Sequence, residues 1–214
     1  MQSGNPSSPK RYQAVCCDLL SALIDSWSLW EAVAGDGALG SRWRSASLRL
    51  ITAASTYRAY ESIVAQAAAE VGLEPERVDR LLESWPALRP YPDVGPALRR
   101  LGLPVTVLTN TSHRLAEVAA AALDVPLRAV VSAQASGWYK PRPEAYAAGW
   151  RAAGTSSAAD CLFIAGSAHD VAGAARAGHD VFWVRRRPAD LPAGAPPPRW
   201  QADSLDALVA LVGT

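Results

Sequence analysis

The chain has 214 residues, half of them apolar and 19% charged, with a formal net charge of +1. That suits one domain with a core, or a core plus a smaller insert, and is too apolar for a disordered chain. A near-neutral balance offers no field to hold nucleic acid, and without an apolar run of 18 residues no membrane span is expected.

Residues 1–10 are polar, contain Ser, Asn and Pro, and have no apolar signal core; they read as a disordered arm. Three cysteines, two of them adjacent, make no disulfide framework and read as buried thiols in a reducing cytosol, so the chain is expected to be cytoplasmic. Three histidines supply too few ligands in register for a metal site. Ala14-Val15-Cys16-Cys17 is a short apolar run that ends abruptly at Asp18, which predicts a buried strand with a carboxylate at its C-terminal end. Open α/β sheets bind ligands at such ends, so Asp18 is a candidate nucleophile, or else the cap of the next segment.

From Ser26 to Val71 the spacing is helical. Leu48, Ile51 and Ala54-Ser55 continue one face, and Tyr60, Ile63, Val64 and Ala67 another, with Gly35–Gly40 the main breakers. Pro75 opens a further helix through Trp85, which Pro86, Pro90 and Pro92 stop. From Asp93 strands and helices alternate. The strands are Val105–Leu108, Ala129–Val131, Cys161–Ile164 and Val181–Val184. The helices are Val94–Leu101, Ser112–Leu123, Pro143–Ala153, Asp170–Ala177 and Leu205–Val212. Leu191–Pro198 is an extended connection. This rhythm predicts an α/β fold: a doubly wound, mostly parallel, Rossmann-like sheet of residues 11–25 and 92–214. Residues 26–91 would be an inserted helical cap lying over the sheet edge above Asp18.

The strand ends then bring together Asp18, Thr109-Asn110, Lys140 and the Ser167–Asp170 turn. A nearby lysine keeps a nucleophilic carboxylate ionised, a hydroxyl hydrogen-bonds a substrate oxygen, and a second carboxylate orients the lysine or activates water. Singly, each residue also reads as an ordinary cap, surface lysine or strand-end hydroxyl.

These motifs resemble the haloacid dehalogenase superfamily, and within it the L-2-haloacid dehalogenase type. They are the strand with Asp18, V-L-T-N at Val107–Asn110, W-Y-K-P-R-P-E-A-Y at Trp138–Tyr146, and F-I-A-G-S-A-H-D-V-A-G-A at Phe163–Ala174. Trp43-Arg44 matches the arginine of that family's helical cap. The resemblance implies a hydrolase without cofactor or metal that acts on a small-molecule carboxylate. Asp18 would attack an sp³ carbon and form an ester. Arg44 would hold the leaving group or the substrate carboxylate, and Thr109 and Asn110 would line the same site. Lys140 would neutralise charge, Tyr146 would join its network, and Asp170 would help water hydrolyse the ester. Leu20, Leu48 and one of Trp27 or Trp30 would supply apolar walls, although cap packing accounts for the tryptophans too. Homodimers through the cap are common in the family.

The chain also departs from the family. Phosphatases of the superfamily carry an acid/base Asp where this chain has Leu20, and a Mg²⁺-binding acid where it has Gly166; neither residue serves those roles. Dehalogenases usually carry Gly-Thr where this chain has Ser21-Ala22, and Ser and Asn at Ala165 and Ser167. Ser21 and Ser167 are then the hydroxyls available as substitutes. His169, usually aromatic, offers a proton that an amine leaving group needs and a halide does not. The substrate expected by resemblance is a 2-haloacid, with ring opening of azetidine-2-carboxylate as the alternative; the lost hydroxyls also admit a non-catalytic member, against which the retention of Asp18, Arg44, Lys140 and Asp170 together argues, and Leu20 and Gly166 disfavour a phosphatase.

Overall fold

The computed structural model describes residues 12–212; the arm expected over residues 1–10 lies outside them. Six strands form one all-parallel sheet in the order β3-β2-β1-β4-β5-β6. They are β1 (Ala14–Asp18), β2 (Val105–Thr109), β3 (Ala129–Ser132), β4 (Cys161–Ala165), β5 (Val181–Val184) and β6 (Trp200–Ala202). β1 lies between β2 and β4, with Cys17 in register with Val107 on one side and Ile164 on the other. Each of its five residues is buried, which is why it reads as an unbroken apolar run rather than an alternating one. The order reverses at β1, so Asp18 emerges at the switch point, where flanking loops part to leave a crevice.

Four helices follow β1 before the chain returns to the sheet layer: α1 (Ser26–Ala34), α2 (Gly37–Ala53), α3 (Tyr60–Glu70) and α4 (Pro75–Glu83). The chain leaves and re-enters the sheet layer side by side, with Ile24 bridged to Pro90 and Tyr91 N–H donating to the Leu23 carbonyl. Gly35, at φ 77°, ends α1 in the left-handed conformation that glycine adopts without strain. Gly40 was expected to break helix but lies inside α2. A methyl group there would sit 2.5 Å from the Glu31 Cα, so glycine lets α1 and α2 touch. Trp43 donates its indole N–H to the Val64 carbonyl at 2.9 Å and ties α2 to α3.

The remaining helices are α5 (Val94–Leu101), α6 (His113–Ala120), α7 (Ala133–Ser136), α8 (Pro143–Ala152), α9 (Ala168–Arg176) and α10 (Asp206–Val212). Differences from expectation are local. α2 ends at Ala53, one residue before the expected Ala54-Ser55, because Ala54 turns to extended backbone. The helix expected through Leu123 tightens to a 3₁₀ turn at Ala121–Leu123 and stops at Asp124, which is left-handed at φ 48°. α9 begins two residues earlier than expected because Ser167 caps it. β6 was not foreseen: three residues behind a proline-rich connection carry too little pattern, yet Trp200 meets the Tyr12 ring edge-on at 6.2 Å and fixes the strand at the sheet edge. Cys16, Cys17 and Cys161 are buried free thiols. No helix among the described residues is long and apolar enough to cross a membrane.

Candidate active site

Directly after Asp18 the chain makes one π-helical turn, Leu19–Leu23. Asp18 caps it. Its Oδ2 accepts from the backbone N–H of Ser21 at 2.8 Å and of Ala22 at 3.3 Å, and from the Ser21 hydroxyl in a short contact. Three donors therefore converge on Oδ2, while Oδ1 faces only the Lys140 ammonium at 2.6 Å. The capping reading from sequence is met by Oδ2, and Oδ1 is the oxygen that the nucleophile reading would use. The hydroxyl missing at Ala22 is supplied from Ser21. Ser167 instead caps α9, accepting from Asp170 N–H at 3.2 Å while still lining the cavity.

Lys140 Nζ also touches Asp170 Oδ2 at 2.8 Å, and the Tyr146 hydroxyl donates to Asp170 Oδ1 at 2.9 Å. Asp18, Lys140 and Asp170 are 6%, 4% and 7% exposed, so these pairs sit in low dielectric where charge balance governs ionisation. Burial pushes the Asp18 carboxyl up. The Lys140 charge and the hydrogen bonds from Lys140 and Ser21 outweigh it, and Asp18 is held below its ordinary value. Asp170 goes the other way: burial and the neighbouring Asp18 charge raise it despite Lys140. Burial opposes the charged Lys140, but the two carboxylates win and it stays protonated well above its ordinary range. Asn110 fixes the lysine's backbone. Its amide oxygen accepts from Lys140 N–H at 2.8 Å and its amide nitrogen donates to the Lys140 carbonyl at 3.0 Å.

A cavity of about 90 Å³ opens above these groups. Asp18, Leu20, Ser21, Thr109, Asn110, Lys140, Ser167, His169 and Asp170 line it from the sheet side, and Arg44 and Leu48 from α2. Tyr146 does not line it; it stands behind Asp170. His169 is exposed at the rim. Trp27, Trp30, Ser47, Ile51, Thr52, Tyr60 and Pro141 complete the lining. Tyr60 was read only as a core position, because a helix face turned to a cavity has the same periodicity as one turned to a core. Ser26 gave no signal in the sequence. Its hydroxyl donates to the Leu20 carbonyl and accepts from Arg44 Nη1.

Arg44 is 7% exposed and has no carboxylate partner among the described residues; it meets Ser26, the Leu20 carbonyl and the Trp27 ring. Its Nε and the Thr109 hydroxyl are both buried without a hydrogen-bond partner. Both residues line the cavity, and a buried cation and a buried hydroxyl with unfilled hydrogen-bonding capacity beside it suit an anionic ligand.

The residues do not fit Mg²⁺. Lys140 Nζ already bridges the two carboxylates as the local cation. Any side chain at Gly166 would collide with the Ser21 and Ala22 backbone, so a metal-binding acid has no room there. Ser21→Ala is expected to slow turnover by about 10²-fold, since a preorganised donor to a reacting carboxylate is worth that much. Steady-state kcat with unchanged thermal melting checks it; wild-type kcat would show that the backbone donors suffice.

Residues 11–178 match the profile of the haloacid dehalogenase-like hydrolases. A haloacetate dehalogenase of Moraxella sp. (strain B) is 27% identical over 222 residues, which covers 95% of this chain and 99% of that one. A crystal structure of an L-2-haloacid dehalogenase superposes with a TM-score of 0.84 and 25% identity, over 96% of this chain and 100% of the other. A phosphatase of Mycobacterium tuberculosis (strain CDC 1551 / Oshkosh) is 42% identical over 102 residues, covering 45% of this chain and 46% of the phosphatase.

Proposed function

This chain belongs to the haloacid dehalogenase-like hydrolases, and from that premise we propose that Asp18 displaces the halide from the α carbon of a small (S)-2-haloacid. The observation that carries the reading is the division of labour at Asp18: Oδ2 held by three donors, Oδ1 paired with Lys140 alone on a residue that lines the cavity. Oδ1 attacks the α carbon, an ester bond forms, and the carbon–halogen bond breaks with its electron pair leaving on the halide. Arg44 and Thr109 meet the two charged ends of the reacting substrate, its carboxylate and the departing halide. Water then adds to the Asp18 carboxyl carbon and gives its proton to Asp170. The oxyanion develops on Oδ2, where the N–H groups of Ser21 and Ala22 already point. Collapse breaks the bond between the carboxyl carbon and Oδ1, Asp170 returns its proton to the departing alkoxide to give the 2-hydroxyacid, and the new Asp18 carboxyl loses its proton to solvent.

The partial likeness to a phosphatase does not carry phosphoryl chemistry to this site. Leu20 cannot protonate an alkoxide, and Gly166 cannot hold a metal or accept a side chain that would. Ring opening of azetidine-2-carboxylate is the second reading. His169 at the cavity rim favours it, as the group able to protonate a departing amine.

The expected result is chloride release from L-2-chloropropionate that is unchanged by EDTA. A single turnover in ¹⁸O water should give unlabelled lactate, its hydroxyl oxygen coming from Asp18. Label in that first product would mean direct attack by water, and absence of halide release by folded protein would remove the haloacid reading.

A further inference from the structure

One side of the cavity is lined by an arrangement of which the proposed reaction uses only Arg44. Trp27 on α1 lines the cavity and is only partly buried, whereas Trp30, Ile51 and Tyr60 have core behind them. Two guanidinium groups share its ring. Arg44 Cζ lies 4.3 Å from the ring centroid and Arg187 Cζ 5.0 Å from it. Arg187 comes from the segment after β5, on the sheet side of the cavity. It also pairs with Glu31 at 2.7 Å, one helical turn beyond Trp27 on α1. Arg187 is 43% exposed and is absent from the cavity lining, so it touches the site only through Trp27 and Glu31. Two cations on one indole, one of them also ion-paired to the same helix, hold the ring in a single position.

We propose that Trp27 is a specificity-determining residue that limits the length of the substituent on the substrate's α carbon, and that Arg187 is the positioning residue that holds the indole there. This rests on the site taking a small carboxylate, as proposed above. With the indole in place, a longer chain meets a rigid wall; without it, the chain passes between α1 and the segment after β5 into solvent. Discrimination against added methylenes in a closed apolar site runs at about 10-fold or more per group.

The test uses unhalogenated carboxylates, so that it does not depend on turnover. Affinities for propionate and hexanoate are measured by titration calorimetry on wild-type protein, Trp27→Leu, Trp27→Ala, Arg187→Gln and Arg187→Lys, with thermal melts to confirm folding. The wild type should prefer propionate. Both Trp27 variants should raise relative hexanoate affinity by about 10-fold or more. Arg187→Gln should shift the ratio in the same direction, and Arg187→Lys, which keeps a cation for Glu31 and the ring, should restore it. A wild-type ratio in folded Trp27→Leu and Trp27→Ala would overturn the role of Trp27, and a wild-type ratio in Arg187→Gln would overturn the role of Arg187. Loss of halide release with the ratio shift intact would instead count against the reaction and leave this wall standing.

Discussion

Asp18→Asn is expected to abolish turnover while leaving the fold intact. An amide is a poor nucleophile, and replacing the group that forms the covalent bond costs at least about 10³-fold in kcat. The structural cost should be small because of the charge count. In the wild type, one ammonium serves two buried carboxylates. In the Asp18→Asn variant, Lys140 and Asp170 remain as a balanced pair, and the new amide oxygen can accept from Lys140 or from the Ser21 N–H, but not both. The melting temperature should therefore fall by several degrees at most, a change of about 1–3 kcal/mol for the one side left without an acceptor. Halide release and thermal unfolding measured on one preparation check both halves. Retained turnover would rule out Asp18 as nucleophile.

Lys140→Met is expected to damage both activity and stability. Removing the ammonium strands two buried carboxylates beside each other, and breaking a buried ion pair from one side costs about 3–5 kcal/mol. The deficit should depend on pH with a definite sign. Without Lys140, burial and mutual repulsion raise both carboxyl pKa values in the folded state above their unfolded values. Below the unfolded value, near 3.8 for Asp, both forms are protonated and the penalty is absent; it grows as pH rises through the folded values. Urea unfolding should show a large deficit at pH 7.5 that shrinks toward pH 4.5. A deficit that does not vary with pH would mean that Lys140 acts through packing alone. The same balance shapes wild-type turnover. In the proposed reaction Asp170 must be ionised to take a proton from water, so its raised carboxyl is expected to move the acid limb of kcat above the ordinary aspartate range, while the lowered carboxyl of Asp18 does not set that limb.

The sheet and the convergence of Asp18, Thr109, Lys140 and Asp170 were legible because both follow from local pattern. Buried parallel strands are apolar runs, and the ends of such runs share one edge of the sheet. Arg44 was legible through resemblance alone, since an arginine in an amphipathic helix ordinarily reads as part of a solvated face. Contacts between distant, patternless positions were out of reach. Arg187 and Trp27 are 160 positions apart, as the two numbers show, and nothing in either segment marks the other. Gly40 was misjudged because a glycine in a helical run signals a break and a close helix contact equally well. Ser21 was an ambiguous substitute until the π-helical turn aimed its hydroxyl at Asp18.

Cation usage in this chain gives the burial of Lys140 a practical meaning. The sequence has 21 basic residues, and only Lys10 and Lys140 among them are lysines. Arginine serves everywhere else, but its planar fork would not fit as a point charge between two carboxylates, where a compact ammonium does. Lys10 is outside the described residues, so among those described the amine chemistry of the folded chain is confined to one nitrogen sealed in the site. Among the described residues, acylating reagents and aldehydes meet a single ε-amine, 4% exposed and held between two carboxylates. Label at Lys140, mapped separately from label at Lys10, therefore reports how freely a reagent reaches the cavity beside Asp18.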